Sequence, residues 1–197
     1  LENRYTDWGN YYPALTLRNL WDICSFVPAQ KLQIEFLNID RNAEKYKEDD
    51  VLAPSKYSYE YALSTVMFAN PLCWFEPSAL KTEALERYGC MINLHRKYRN
   101  EIFAGYIFPI GQRPDGYSWT GFQSHNLSKN SGFIIIYREL NENTRFSIKP
   151  LFMEERSVHL QSLSDKTSDI TIERYNGDGI EIQLDNVNSF RLYFYQL

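Results

Sequence analysis

An acidic side chain, a large indole and several tyrosines crowd the first residues of this chain, in "RYTDWGNYYPALTLRNLWD". Asp7 is the group there that can move a proton, and Trp8 offers a flat apolar face on which a pyranose ring can stack. Two readings of Asp7 stay open. It either serves chemistry, or it caps and orients the turn before Pro13, as aspartate commonly does. Further along, Asn38 follows "QIEFL" and Glu76 follows "LCWF". Polar residues just past short apolar runs sit where α/β sheets present chemistry, at the carboxyl ends of their strands.

Several other chemistries are excluded. His95, His125 and His159 lie far apart with no ligand-like spacing, so no metal is expected and each reads as a structural histidine. Cys24, Cys73 and Cys90 are odd in number and set in apolar surroundings, and they read as buried thiols outside any disulfide framework. The loop "DRNAEKYKEDD" lacks the glycine and alternating ligands of a calcium loop, so Asp40, Asp49 and Asp50 read as solvated acids. A net charge of -4 without a basic stripe argues against nucleic acid as a partner. No apolar run approaches the roughly 20 residues that span a bilayer, so no membrane partner is expected. Aromatic residues make up 16% of the chain, a proportion that suits a packed β core or sugar stacking.

The elements that must position these groups change character near residue 103. Before it, "PALTLRNLWDICSF" has helical spacing behind Pro13, "KLQIEFLN" alternates with Gln33 and Glu35 on its wet face, and "YSYEYALSTVMF" reads as a mostly buried helix. "NPLCWFE" is a continuous apolar run, expected to be a fully buried parallel strand. A long helix over 78–102 presents Leu80, Ala84, Leu85, Tyr88, Met91, Ile92, Leu94 and Tyr98 as its apolar face. After Gly105, eight short strands separated by "RPDG", "SKNSG", "NENT" and "YNGDG" read as an antiparallel β-sandwich. The expected domains are therefore 1–102, α/β, and 103–197, all-β. Two parallel strands cannot close a sheet by themselves, and a TIM barrel takes about 250 residues, so the first part reads as the closing quarter of a barrel.

Three stretches together, "TLRNLWDICSFVPAQKLQIEFLN", "FANPLCWFEPSAL" and "GYIFPIGQRPDGYSWTGFQS", resemble the C-terminal part of melibiase-like α-galactosidases. The resemblance implies a TIM barrel followed by a β-sandwich, with "KLQIEFLN" as the seventh barrel strand and "NPLCWFE" as the eighth. It implies a retaining glycosidase of carbohydrate substrates that needs no cofactor, with the nucleophile on a barrel portion N-terminal to Leu1. Asp7 then stands where the family has its acid/base, a few residues beyond an arginine, here Arg4. Arg4, Trp8 and Asn38 become sugar-binding residues. Retention requires two carboxyl groups about 5 to 5.5 Å apart. The competing expectation is a non-catalytic carbohydrate-binding or interaction sandwich. Strands 32–37 and 71–76, lacking barrel neighbours, are expected to expose their edges and to promote self-association.

Overall fold

The computed structural model describes residues 2–3, 11–164 and 169–197. Its backbone divides into two compact units, Leu1–Asn100 and Glu101–Leu197. Much of it is β-sheet.

In the first unit a three-stranded parallel sheet runs in the order β1 (Glu2–Asn3), β2 (Gln33–Phe36), β3 (Asn70–Cys73). The short β1, which periodicity does not reveal, pairs Glu2 with Gln33 and Asn3 with Ile34. β2 is therefore the central strand, and Ile34 and Phe36 are buried on one face while Glu35 is buried on the other. This corrects two expectations, a wet face at Glu35 and an exposed β2 edge. β3 pairs with β2 from Gln33↔Asn70 to Phe36↔Cys73. It is half-exposed instead of fully buried, because β2 is its one partner among the described residues. The amides of Asn70 and Trp74 donate to Leu32 O and Phe36 O. By strand alternation Pro71 then faces the outer edge, where its missing N–H costs the sheet nothing.

Helix α1 (Pro13–Ile23) starts on Pro13, whose fixed φ suits a first helical position, and buries Ala14, Leu17 and Leu20. Helix α2 (Tyr59–Ser64) is shorter than its apolar stretch suggests, and Ser58 caps it by accepting from the amide of Tyr61 at 3.1 Å. Helix α3 (Thr82–Phe103) buries Ala84, Tyr88, Met91 and His95, a narrow stripe at spacings of four and three. Leu85 and Ile92, expected on that face, are exposed.

The second unit realises all eight strands. Six form an antiparallel sheet in the order β4 (Tyr106–Gly111), β5 (Trp119–Asn126), β6 (Ser131–Arg138), β11 (Ser189–Gln196), β8 (Val158–Ser162), β9 (Ile170–Ile172). The other two, β7 (Arg145–Ile148) and β10 (Ile180–Gln183), make a separate ribbon. Trp119, Ile134, Ile136, Val158, Leu160 and Tyr193 of the large sheet and Ile148, Ile180 and Ile182 of the ribbon share one core, which defines a β-sandwich. Both edges of the large sheet are blunted, β4 by Pro109 and β9 by its length of three residues. Gly132 is required where it stands, since a Cβ would collide with Ser124 O and the Tyr195 hydroxyl.

Adjacent residues at the end of β6 organise the turns. The Arg138 guanidinium, 5% exposed, donates to the carbonyls of Asn141, Leu184 and Asp185 at 2.9 Å and of Glu142 at 3.3 Å. Glu139 Oε2, fully buried, accepts the amides of Asp115, Gly116 and Ser118 at 3.1, 2.9 and 3.0 Å. Opposite charges next to each other are thus each held by backbone groups, Arg138 through four carbonyls and Glu139 through three amides on Oε2, while Glu139 Oε1 is buried without a hydrogen-bond partner among the described residues. Burial pushes the Glu139 carboxyl above its usual range, against the three amides that favour the anion.

Candidate functional site

Because β2 and β3 are parallel, the chain leaves both at the same end of the sheet, through Leu37–Asn38 and Trp74–Glu76. A cleft of about 570 Å³ opens there, lined by Asn38, Arg41, Cys73, Trp74, Phe75 and Glu76. Its floor is aromatic. Phe75 sits edge-on to Phe36 at 5.6 Å between ring centres and tilts against Tyr88 at 5.3 Å, and Tyr88 in turn meets Tyr59 at 5.3 Å. The Tyr88 hydroxyl donates to Leu37 O at 3.2 Å, tying helix α3 to the start of the loop that carries Asn38.

That loop is built by its own polar residues. Asn38 Oδ1 accepts the amide of Asp40 at 3.0 Å and Asn38 O accepts that of Arg41 at 3.1 Å, a turn that asparagine favours. Asn38 therefore offers the cleft its Nδ2 donor. Asp40 Oδ2 accepts from the Tyr59 hydroxyl at 2.7 Å and pairs with Lys81 Nζ at 3.3 Å. Burial, with the Asp40 carboxylate next, pushes the Tyr59 phenol up to about 12. Asp50 is latched in the same way, accepting from the Tyr12 hydroxyl at 2.8 Å and the amide of Leu52 at 3.0 Å. Asp40 and Asp50 are thus structural acceptors and not simply solvated acids.

The cleft presents a half-buried indole, a guanidinium, an amide donor and one carboxylate. Those groups can stack on and hydrogen-bond a polyhydroxylated ligand. Glu76 is the one carboxylate on the lining, so the described cleft residues do not supply the pair that retention demands. Of the residues singled out in the sequence, Asn38 lies on the cleft, whereas Arg4, Asp7 and Trp8 lie outside the described residues. Sequence reasoning missed Arg41 and Trp74. Trp74 was findable, as the first residue past a parallel strand; Arg41 reaches the cleft through a turn that leaves no periodic signal.

The remaining candidates resolve individually. Among the described residues no group of three or more His, Cys, Asp or Glu can hold a metal ion, and no helix is long and apolar enough to cross a membrane. Cys24 is buried as expected, but Cys73, on the last residue of an edge strand, and Cys90, on the wet face of α3, are exposed. His95 and His125 are buried, His125 with Nδ1 at 2.8 Å from the Tyr195 hydroxyl; His159 is exposed and bonds Thr171 Oγ1 at 2.9 Å. In "RPDGYSWTGF" Trp119 is core and Tyr117 is surface.

No protein-family model and no curated protein sequence matches the chain. Solved structures do. The galactosidase domain of the α-galactosidase–sucrose kinase AgaSK matches with a TM-score of 0.71 and 12% identity, over 93% of this chain and 24% of that one. The GH36 α-galactosidase AgaA from Geobacillus stearothermophilus matches at 0.67 and 8%, again over 93% and 24%. A noncanonic maltogenic α-amylase, AmyB from Thermotoga neapolitana, matches at 0.51 and 11%, over 96% of this chain and 47% of that one. The likeness is one of fold, and the chain spans about a quarter of the length of the α-galactosidases it matches. The class so defined is a β-sandwich with an attached parallel α/β layer, as found in a segment of glycoside hydrolases.

Proposed function

We propose that the chain is the C-terminal portion of a retaining α-galactosidase-like glycoside hydrolase acting on α-linked galactosides or related sugars. In this reading the first unit supplies the closing strands and helices of a TIM barrel, and the second is the accessory sandwich. The observation that carries it is the pairing of that fold likeness with a polar and aromatic cleft at the carboxyl end of parallel β2 and β3, the end at which barrel enzymes do chemistry. Asn38 and the Trp74 indole line the sugar site, and Arg4 and Trp8 are further sugar-binding residues. Asp7 protonates the glycosidic oxygen as the leaving group departs, then as a carboxylate deprotonates the incoming water. The nucleophile, on a barrel strand N-terminal to Leu1, forms the glycosyl-enzyme bond. No cofactor is required.

The test compares the 197-residue chain with the longer protein read from the upstream coding sequence. The longer protein is expected to hydrolyse an aryl α-galactoside and the isolated chain is not, since an acid alone forms no glycosyl-enzyme. In the longer protein Asp7→Asn should lower kcat/KM by about 10²- to 10⁴-fold on a natural galactoside, and by less on a nitrophenyl one whose leaving group needs little protonation. Equal losses on both substrates would reduce Asp7 to a turn residue. Hydrolysis by the 197-residue chain alone would overturn the reading of it as a portion of the enzyme.

A further inference from the structure

The sandwich carries a second concavity, of about 450 Å³, along β10 and beside β11 and β9. Its character is opposite to that of the cleft. Arg145 and Arg191 supply donors, Asp169, Glu181 and Asp185 supply acceptors, and Gln183 supplies both. Most of these groups are held in place from within the protein: Arg145 Nη1 meets Glu181 Oε1 at 3.1 Å, Arg191 Nη1 donates to Gln183 O at 3.1 Å, Gln183 Nε2 donates to Asp185 Oδ1 at 2.7 Å, and Asp169 Oδ1 accepts the amide of Ser162 at 2.7 Å.

Charge, geometry and backbone pairing eliminate most occupants. Three carboxylates against two guanidiniums repel a phosphate or a sugar acid. Among the described residues no group of three or more His, Cys, Asp or Glu could hold a metal ion, so the lining does not fit a cation site. An added peptide strand is opposed by Arg191, which already occupies the backbone acceptor of Gln183 on β10, and by the charged side chains along that edge. An apolar ligand would take these charged groups out of water and offer them nothing in return. A neutral polyol alternates donors and acceptors as this lining does, and a cavity of this volume lies within the usual range for small ligands. We propose that this groove binds a neutral oligosaccharide, as an ancillary site distinct from the cleft and independent of whether the cleft belongs to a hydrolase. With no exposed ring for stacking, the affinity is weak, with a Kd of about 1 mM.

The experiment titrates the 197-residue chain with raffinose and with maltotriose, following backbone amide shifts by NMR, with galacturonate and inorganic phosphate as anionic comparators. Saturable shifts at residues 145, 169 and 181–185 with at least one neutral sugar are expected. Arg145→Ala and Glu181→Gln, both at exposed side chains, should each weaken that binding about tenfold, while Trp74→Ala in the cleft leaves it unchanged. Absence of shifts at these residues overturns the proposal. So do tighter binding of either anion there, or sugar binding that Trp74→Ala abolishes and Arg145→Ala does not touch.

Discussion

Strands β3 and β6 look alike as sequence, since "NPLCWFE" and "GFIIIY" are both short continuous apolar runs, yet they end in opposite environments. β6 pairs with β5 on one side and β11 on the other, and every residue from Gly132 to Arg138 is buried. β3 has β2 alone among the described residues; Asn70, Pro71 and Leu72 are half-exposed and Cys73 is exposed. What separates them is the number of neighbours, which is a property of topology. Composition sets what a strand can bury, and the sheet around it decides what it does bury. The sandwich therefore holds a core of its own, whereas the parallel unit presents an edge.

If that contrast is energetic as well as geometric, the same chemical change should cost far more in the sandwich. Its polar anchor is the sharpest place to look. Glu139→Ala removes the acceptor of three amides and leaves those of Gly116 and Ser118 buried, which should cost about 3–5 kcal/mol. Asp40→Ala in the parallel unit also deletes a structural carboxylate, but one 30% exposed and facing a tyrosine and a lysine. Water can replace it there, at a cost of about 1 kcal/mol or less. Urea unfolding at unchanged m-value measures both. Similar losses for the two variants would break the comparison.

The apolar version of the test is smaller. Ile134 is fully buried between the two sheets of the sandwich, and Ile134→Ala should cost about 2–4 kcal/mol through lost burial and the cavity left behind. Leu72→Ala, on the half-exposed β3, should stay within about 1 kcal/mol. A loss at Leu72 matching that at Ile134 would show β3 to be covered in solution, and light scattering would then show whether a second copy covers it.

The eight sandwich strands were legible because each is a short alternating or continuously apolar run bounded by turn residues, so pattern and punctuation agree. The helices were legible as elements but not as faces. Nothing local distinguishes Leu85 from Tyr88 on α3, and the choice of Ala84, Tyr88, Met91 and His95 as the buried stripe depends on where Phe36, Phe75 and Tyr59 bring their rings. β1 was illegible, since two residues carry no period. At the site, Asn38 could be placed from the strand before it. The roles of Asp40, Asp50 and Glu139 could not, because their partners are Tyr59, Tyr12 and the amides of Asp115, Gly116 and Ser118, from 19 to 38 residues distant.

The smallest expected effect concerns the two buried histidines, one in each unit. Burial lowers the proton affinity of both, with Arg156 adding to the effect at His125 and Arg99 at His95. A folded-state value below the ordinary 6.5 of histidine means that the unfolded chain binds the proton more tightly. The stability from each neutral ring is thus present above about pH 6.5 and is lost as pH falls through the folded value. At His125 the ring Nδ1 lies 2.8 Å from the Tyr195 hydroxyl, which accepts from Gln123 Nε2 at 2.8 Å and donates to Ser124 O at 3.3 Å. Glu139 titrates with the opposite sign, its raised value favouring the fold at low pH and ceasing to do so as pH rises through it. A variant must therefore be compared with its parent at every pH, so that Glu139 cancels. His125→Gln should flatten the fall in sandwich stability between about pH 7 and 5 without steepening it at higher pH. An acid limb that is the same with and without the His125 ring would place its proton affinity on the ordinary side of 6.5, and the stacking of His125 between Phe152 and Tyr195 would then be the whole of its role.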